Sequence, residues 1–438
     1  MRKQSRVMII LAVLLGTSLL LSACQSAPAP SGPTGKAEQQ AKPAAQVQPT
    51  EQPKASEQTK ASSKPVEQAK PELKEPYKIG LLTTLTGPAA FVGNDIRDAV
   101  ALEIERINAA GGINGHALEL VVEDDAADPS KSVTGLTKLI RQDKVVAVTG
   151  PFMGPLEASS RAVAEREQTP FVVICPTSPE VRAKGYKYSF NIAQNEMARV
   201  GAWVDLLKEK KFTRVAGISS NDPILLASFE LLKKEGPAQG IDVSVLPDAV
   251  EPNAIDLTPE VTKLKDVVVR EKAQVVVSGI WPPATPTLLK TMKQLGVDVP
   301  AITYDAAADP FLFQMGGDEL NGLMLPGSRL IAGEQLPASD PQRAVIVDFK
   351  KRFEAKTNRP VSAIGGMGRD ALNMIADALK VAGEDKAKLR DAIEKTTNFV
   401  GVNGIYTYKP SDHEGVGKES FALFEVKDKK FVFLRGVK

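Results

Sequence analysis

Apolar and polar positions along this chain follow two periods in turn. Short apolar runs at 78–82, 145–148, 171–174, 215–219, 274–278 and 301–304 read as buried strands. Between them the spacing shifts to a helical period. Over 94–110, Ile96, Val100, Ile104 and Ile107 share one face, and Gly111-Gly112 ends the helix. Residues 116–123 read as a strand. Asp128-Pro129 has the form of an N-cap followed by proline at the first helical position, which predicts a helix to about 142. The same pattern predicts helices over 156–167, 196–210, 223–234, 258–270 and 285–295, a strand over 241–246, and a helical section over 341–393. Two strands, 421–426 and 431–434, close the chain around the turn at 427–430. Repeated βα units with buried strands predict an α/β fold with parallel sheets covered on both faces. The stretch from Tyr77 to Lys438 is long for one core, so two lobes are expected.

The first residues follow a different logic. Arg2, Lys3 and Arg6 precede an apolar run at 7–21 and then Ser22-Ala23-Cys24. That is the form of a secretory signal peptide, residues 1–23, and the run is shorter than the ~20 residues that span a bilayer. Leu21-Ser22-Ala23-Cys24 resembles a bacterial lipobox, which implies lipidation of Cys24 and an extracytoplasmic, lipid-anchored protein, periplasmic or cell-surface. Residues 24–75 are rich in Pro, Ala, Gln and Lys and lack aromatics. Such a segment buries too little apolar surface to offset its ordering entropy, so it reads as a disordered tether. With 55 Lys+Arg against 53 Asp+Glu, no basic excess points to nucleic acid. Cys24 and Cys175 are the two cysteines. If Cys24 carries lipid, Cys175 has no partner in the chain and reads as a small buried hydrophobe.

The chemistry of turnover is missing from the motifs. The two histidines, His116 and His413, stand in no triad or metal-ligand spacing, and there is neither a Gly-x-Ser-x-Gly elbow nor a phosphate loop. An enzyme is therefore not expected, nor any metal or cofactor. Ligands of open parallel sheets bind beyond the carboxyl ends of the strands. Here those ends are rich in Gly, Pro, Thr and Ser. The turn at 148–155, "VTGPFMGP", is unusual in setting Phe152 and Met153 between two Gly-Pro pairs.

The stretch "LTGPAAFVGNDIRDAVALEIERINAAGGINGHALELVVEDDAAD" closely resembles the opening of the branched-chain amino-acid-type extracellular solute-binding proteins of ABC transporters. Weaker likeness continues through "VVAVTGP", "ICPTSP" and "YKPSDHEG". The resemblance implies the type I periplasmic binding protein fold: two parallel-sheet α/β lobes joined by three hinge segments, with a solute enclosed between them. It places the crossings near 190–194, 325–329 and 404–408. The N-terminal lobe is then 76–192 and 328–405, and the C-terminal lobe 193–327 and 406–438. It implies delivery of a small ligand to an ABC permease; the alternative is a ligand-sensing lipoprotein acting on a signalling partner.

The resemblance also nominates site residues. The turn holding Phe152 and Met153 corresponds to one that supplies small hydroxyls to a ligand carboxylate. Here the two side chains either line an apolar pocket or turn inward as core. Thr177 and Ser178 match a second carboxylate-binding turn. Asp305 matches the acidic residue that faces a ligand ammonium, Trp281 a position where the family often has Tyr, and Asn221 a cleft loop. Arg369 replaces a frequent Tyr. The implied ligand is an apolar or aromatic amino acid, or an aromatic acid or amide.

Overall fold

The computed structural model describes residues 73–251 and 254–438. The expected signal peptide, the lipidation site Cys24 and the tether up to residue 72 lie outside the described residues. Two sheets organise the rest. The first holds β1 (Lys74–Thr83), β2 (His116–Asp124), β3 (Ala147–Thr149), β4 (Phe171–Val173) and β5 (Ser189–Asn191) in the order β2-β1-β3-β4-β5, all parallel. The second holds β6 (Arg214–Ser219), β7 (Asp242–Val245), β8 (Val275–Gly279), β9 (Ala301–Ile302) and β10 (Met324–Ser328). Its parallel part repeats the same order, β7-β6-β8-β9-β10. A two-strand hairpin, β11 (Phe399–Val400) and β12 (Ile405–Tyr406), stands apart. The closing strands β13 (Phe421–Lys427) and β14 (Lys430–Gly436) extend the second sheet antiparallel from β10.

Local sequence accounts for the elements. The central strands β3, β4 and β8 are buried throughout, as strands covered by helices on both faces must be. The helix Pro129–Arg141 starts where Asp128 accepts the amides of Ser130 and Lys131 at 2.7 and 2.9 Å, which satisfies two of its unpaired N–H groups. The helix Ala90–Ala109 begins four residues before the expected start and buries Ile96, Val100, Ile104 and Ile107 as its period requires. It packs against the helix Ala363–Ala382. Together they cover β1 in a core that includes Ile79, Leu81, Phe190, Leu372 and Ile375. The second lobe has its own core around Trp203, Phe229, Val275, Val277 and Leu423, and the Trp203 indole donates to the Thr303 carbonyl at 3.1 Å.

Two boundaries differ from expectation. Lys74, placed in the tether by composition, already belongs to β1: its amide donates to Gly115 O at 2.8 Å, and a bulge separates it from the regular pairing at Tyr77. The segment 404–408, expected as the third crossing, lies in the first lobe. Tyr406 and Tyr408 are buried in that lobe's core, and the Tyr408 hydroxyl donates to Asn191 O at 2.9 Å. The chain passes to the second sheet only at 415–420, just before β13. Two buried tyrosines cost too much apolar burial to sit on a flexing strap.

Candidate functional site

In both sheets the strand order reverses direction between the first strand and the third, at β1/β3 and at β6/β8. Crevices open at the carboxyl ends of such switch points. The two crevices face each other across a cleft that holds a cavity of about 450 Å³, within the range of small-molecule sites. The first lobe contributes Phe91 and the Phe152–Pro155 turn, with Ile174 to Pro176 beside them. The second contributes the ends of β6, β8 and β9: Asp222 and Ile224, Trp281, and Tyr304 to Asp309.

The turn after β3 shows how the wall is made. Gly150 has φ +105°, and a Cβ there would overlap the carbonyl oxygen of Leu82. Only glycine lets the chain turn this close to β1. Met153 then stands as the N-cap of the helix Gly154–Arg166 with no side-chain hydrogen bond, which leaves its thioether to the cavity. Phe152 does both things that its sequence allowed: it packs on the first lobe's core and lines the cavity. Gly154 reaches the other lobe, where an added Cβ would be 3.7 Å from the Ile224 side chain. Phe91, 45% exposed, stacks on Phe311 across the cleft with ring centroids 4.4 Å apart and planes 22° from parallel.

Four of the seven ligand-site candidates, Phe152, Met153, Trp281 and Asp305, line the cavity; Thr177, Ser178 and Asn221 do not. Thr177 is buried, and its hydroxyl accepts from Arg161 Nη2 at 2.6 Å and Asn191 Nδ2 at 2.9 Å. Ser178 caps the short helix Pro179–Arg182. Asn221 is exposed, and its amide donates to Val250 O at 2.8 Å. The neighbouring Asp222 faces the cavity, capping the amides of Ile224 and Leu225 at 2.9 and 3.0 Å. Arg369 is buried on the helix Ala363–Ala382 with Asp370 at 2.9 Å and lies outside the cavity lining.

Asp305 also departs from expectation, because its carboxylate already has a cation. Arg199, on the helix Glu196–Glu209, places Nε 2.5 Å from Asp305 Oδ1 and Nη2 3.4 Å from Oδ2, while Nη1 donates to Ser228 Oγ at 3.1 Å. The guanidinium is buried beneath the Tyr304 ring, 5.6 Å from its centroid. Burial works against its charge, and the Asp305 carboxylate more than offsets this, so its pKa is raised. Burial likewise raises the Tyr304 phenol. The composition of the strand ends did not reveal Arg199, Tyr304, Phe91 or Asp309. Arg199 had a signal: it shares a helical face with Trp203, Leu206 and Leu207, and a lone arginine on an apolar stripe needs a buried partner.

Behind the first-lobe wall lies a polar cluster. Arg161 Nε sits 3.1 Å from Glu157 Oε2, both side chains almost fully buried. Glu414 accepts from Asn191 Nδ2 at 3.3 Å, and Arg182 pairs with Glu196 where the chain crosses between lobes. Cys175 is a free, buried thiol beside them, its pKa pushed up by burial. Among the described residues, no group of three or more His, Cys, Asp or Glu side chains is placed to hold a metal ion, and no helix is long and apolar enough to cross a membrane.

Two α/β lobes of matching strand order, closing on one cavity at their switch points, define a solute-binding protein of the type I periplasmic fold. Two of the stretches that carry the resemblance noted in the sequence reach the cavity, through Phe91 and through Ile174 to Pro176. The chain belongs to the periplasmic binding protein family, whose model matches residues 76–430. It is similar to a leucine-, isoleucine-, valine-, threonine- and alanine-binding protein of Pseudomonas aeruginosa, 28% identical over 73% of this chain and 82% of the relative. It is also similar to the Leu/Ile/Val-binding protein BraC3 of Rhizobium johnstonii, 24% identical over 81% of this chain and 92% of that protein. Among solved structures, the leucine-binding protein LivK of Thermotoga maritima matches with a TM-score of 0.71 at 19% identity, covering 82% of this chain and 98% of the other. That likeness carries the fold.

Proposed function

We propose that this protein captures a small organic solute with a sizeable apolar body in the interlobe cavity and hands it to the permease of an ABC importer, while a lipid on Cys24 holds it at the membrane. The solute classes this suggests are apolar or aromatic amino acids and aromatic acids or amides. The observation that carries the reading is the interlobe cavity at two facing switch points, walled by Phe152, Met153, Ile224 and Trp281. The names of the relatives, which are amino-acid-binding proteins, support the transport role. The lipobox-like Leu21-Ser22-Ala23-Cys24 supports the anchor.

A thermal-shift screen of the purified protein against amino acids, aromatic acids and amides tests the reading, followed by calorimetry on the strongest hit. Met153→Ser is expected to weaken that hit by roughly 1–3 kcal/mol through lost apolar burial. A hit whose affinity ignores both Met153→Ser and Phe152→Ala binds somewhere else and overturns the assignment.

A further inference from the structure

We propose that the solute carries an aromatic ring rather than a branched aliphatic chain, and that Trp281 and Met315 select it. This rests on the solute-capture reading and narrows its ligand class.

Large apolar side chains converge on the cavity without serving a core. Phe91, Met153, Trp281, Phe311 and Met315 line it, and none of the five belongs to a core cluster of the described residues. Trp281, in the turn after β8, is 37% exposed. Apolar groups gathered in one concave wall mark a surface that a ligand covers.

Three properties of the wall favour a ring. Its groups are aromatic rings and thioethers, which stabilise an aromatic partner beyond the area they bury. Trp281 is also held in place. Pro282 and Pro283 follow it, its ψ of 137° is the extended value expected before proline, and the Ala284 amide donates to its carbonyl at 2.9 Å. A ring has few rotamers to lose, so it gains more from a fixed wall than a flexible chain does. The third property is volume. An apolar cavity of about 150 Å³ already takes benzene. The cavity here, about 450 Å³, holds a ring together with a polar head, whereas a leucine-sized body would leave part of the wall bare.

The other end of the solute has donors at hand. The amides of Phe152, Met153 and Gly154 line the cavity at the start of the helix Gly154–Arg166 and have no partner among the described residues. Probes for the ring therefore keep a carboxylate and vary the apolar body.

Calorimetry on the wild type compares phenylalanine, cyclohexylalanine and leucine, and the same three bodies without the amine: 3-phenylpropanoate, 3-cyclohexylpropanoate and 4-methylpentanoate. Cyclohexyl matches phenyl in size, so it separates aromaticity from bulk. In whichever set binds more tightly, the phenyl member is expected to exceed the cyclohexyl member by about two- to tenfold. It is expected to exceed the branched member by roughly tenfold or more. Trp281→Leu removes the ring and keeps an apolar side chain; it is expected to bring the phenyl and cyclohexyl members within about twofold of each other. Met315→Leu, nearly equal in volume, removes only the sulfur and is expected to narrow the phenyl lead by about twofold or more. A cyclohexyl or branched member that binds as tightly as the phenyl member overturns the proposal. So does a phenyl lead that both variants leave intact, the result of a merely supporting role that weakens all three members alike. If a cyclohexyl or branched member binds most tightly and Phe152→Ala weakens it, solute capture stands and only the ring assignment fails. If none of the six binds, the ring assignment is also overturned, and solute capture is judged by the wider thermal-shift screen.

Discussion

Arg199 and Asp305 lie 106 residues apart and meet in a buried pair at the edge of the cavity. Each charge is tolerable there only because of the other, since desolvating an ion costs more than a single contact returns. Removing one partner strands the other. Asp305→Asn or Arg199→Met is therefore expected to lower unfolding stability by about 3–5 kcal/mol, and the double variant by less than either single change. Urea denaturation of the four proteins reads the cycle directly. A double variant as damaged as the sum of the singles would show that the pair is not coupled. The same residues show the limit of reading strand ends one at a time. Asp305 was legible as a cleft residue from its place after β9. Its partner was not, because pairing depends on where a distant helix lands. Thr177 shows the same limit: its position at a strand end is clear in the sequence, while the Arg161 that takes its hydroxyl arrives from the preceding helix.

The helix Gly154–Arg166 carries a second buried ion pair with a consequence for pH. Burial raises Glu157 to about 6, despite the opposing pull of Arg161. The ordinary value is 4.5, so between the two the folded protein binds more protons than the unfolded chain. The Glu157 contribution is fully present below the lower value and is lost as pH rises through about 6. A shift of this size corresponds to about 2 kcal/mol. Chemical denaturation from pH 4 to 8 should therefore show the wild type losing stability relative to Glu157→Gln as pH rises. A constant difference across that range would contradict the shift. Helices were legible in outline because their period is local. The helix Pro129–Arg141 was visible from Asp128-Pro129 alone. The start of the helix Ala90–Ala109 was not, since Ala89 makes no side-chain cap and no local residue marks the boundary.

Across the whole molecule, Phe91 of one lobe lies against Phe311 of the other. Phe91 is exposed and Phe311 half-buried, and neither belongs to a core cluster, so the stack contributes to closure rather than to either core. Phe91→Ala is expected to weaken binding of a confirmed solute by about 1 kcal/mol, mainly through faster release. Stopped-flow displacement measures this. An unchanged release rate would assign the pair no part in closure. The membrane attachment belongs to the same scale. With Cys24→Ser the protein is expected to move from the membrane pellet to the soluble fraction, because thioether lipidation requires the thiol. A variant that stays with the pellet would reveal another anchor.

By itself the sequence determined the alternation of strand and helix, the two-lobe α/β class, and the turns that reach the cleft. The alternation and the turns follow from short-range physics: the burial period, glycine and proline geometry, and capping; the two lobes follow from a chain too long for one core. The tertiary structure alone decided which polar groups at those turns are free. It gave Asp305 to Arg199 and Thr177 to Arg161 and Asn191, drew Tyr406 and Tyr408 into the first lobe's core, and left Asp309 facing the cavity. A buried charge or hydroxyl must find a partner wherever the chain brings one, and that partner is set by packing between segments far apart in sequence.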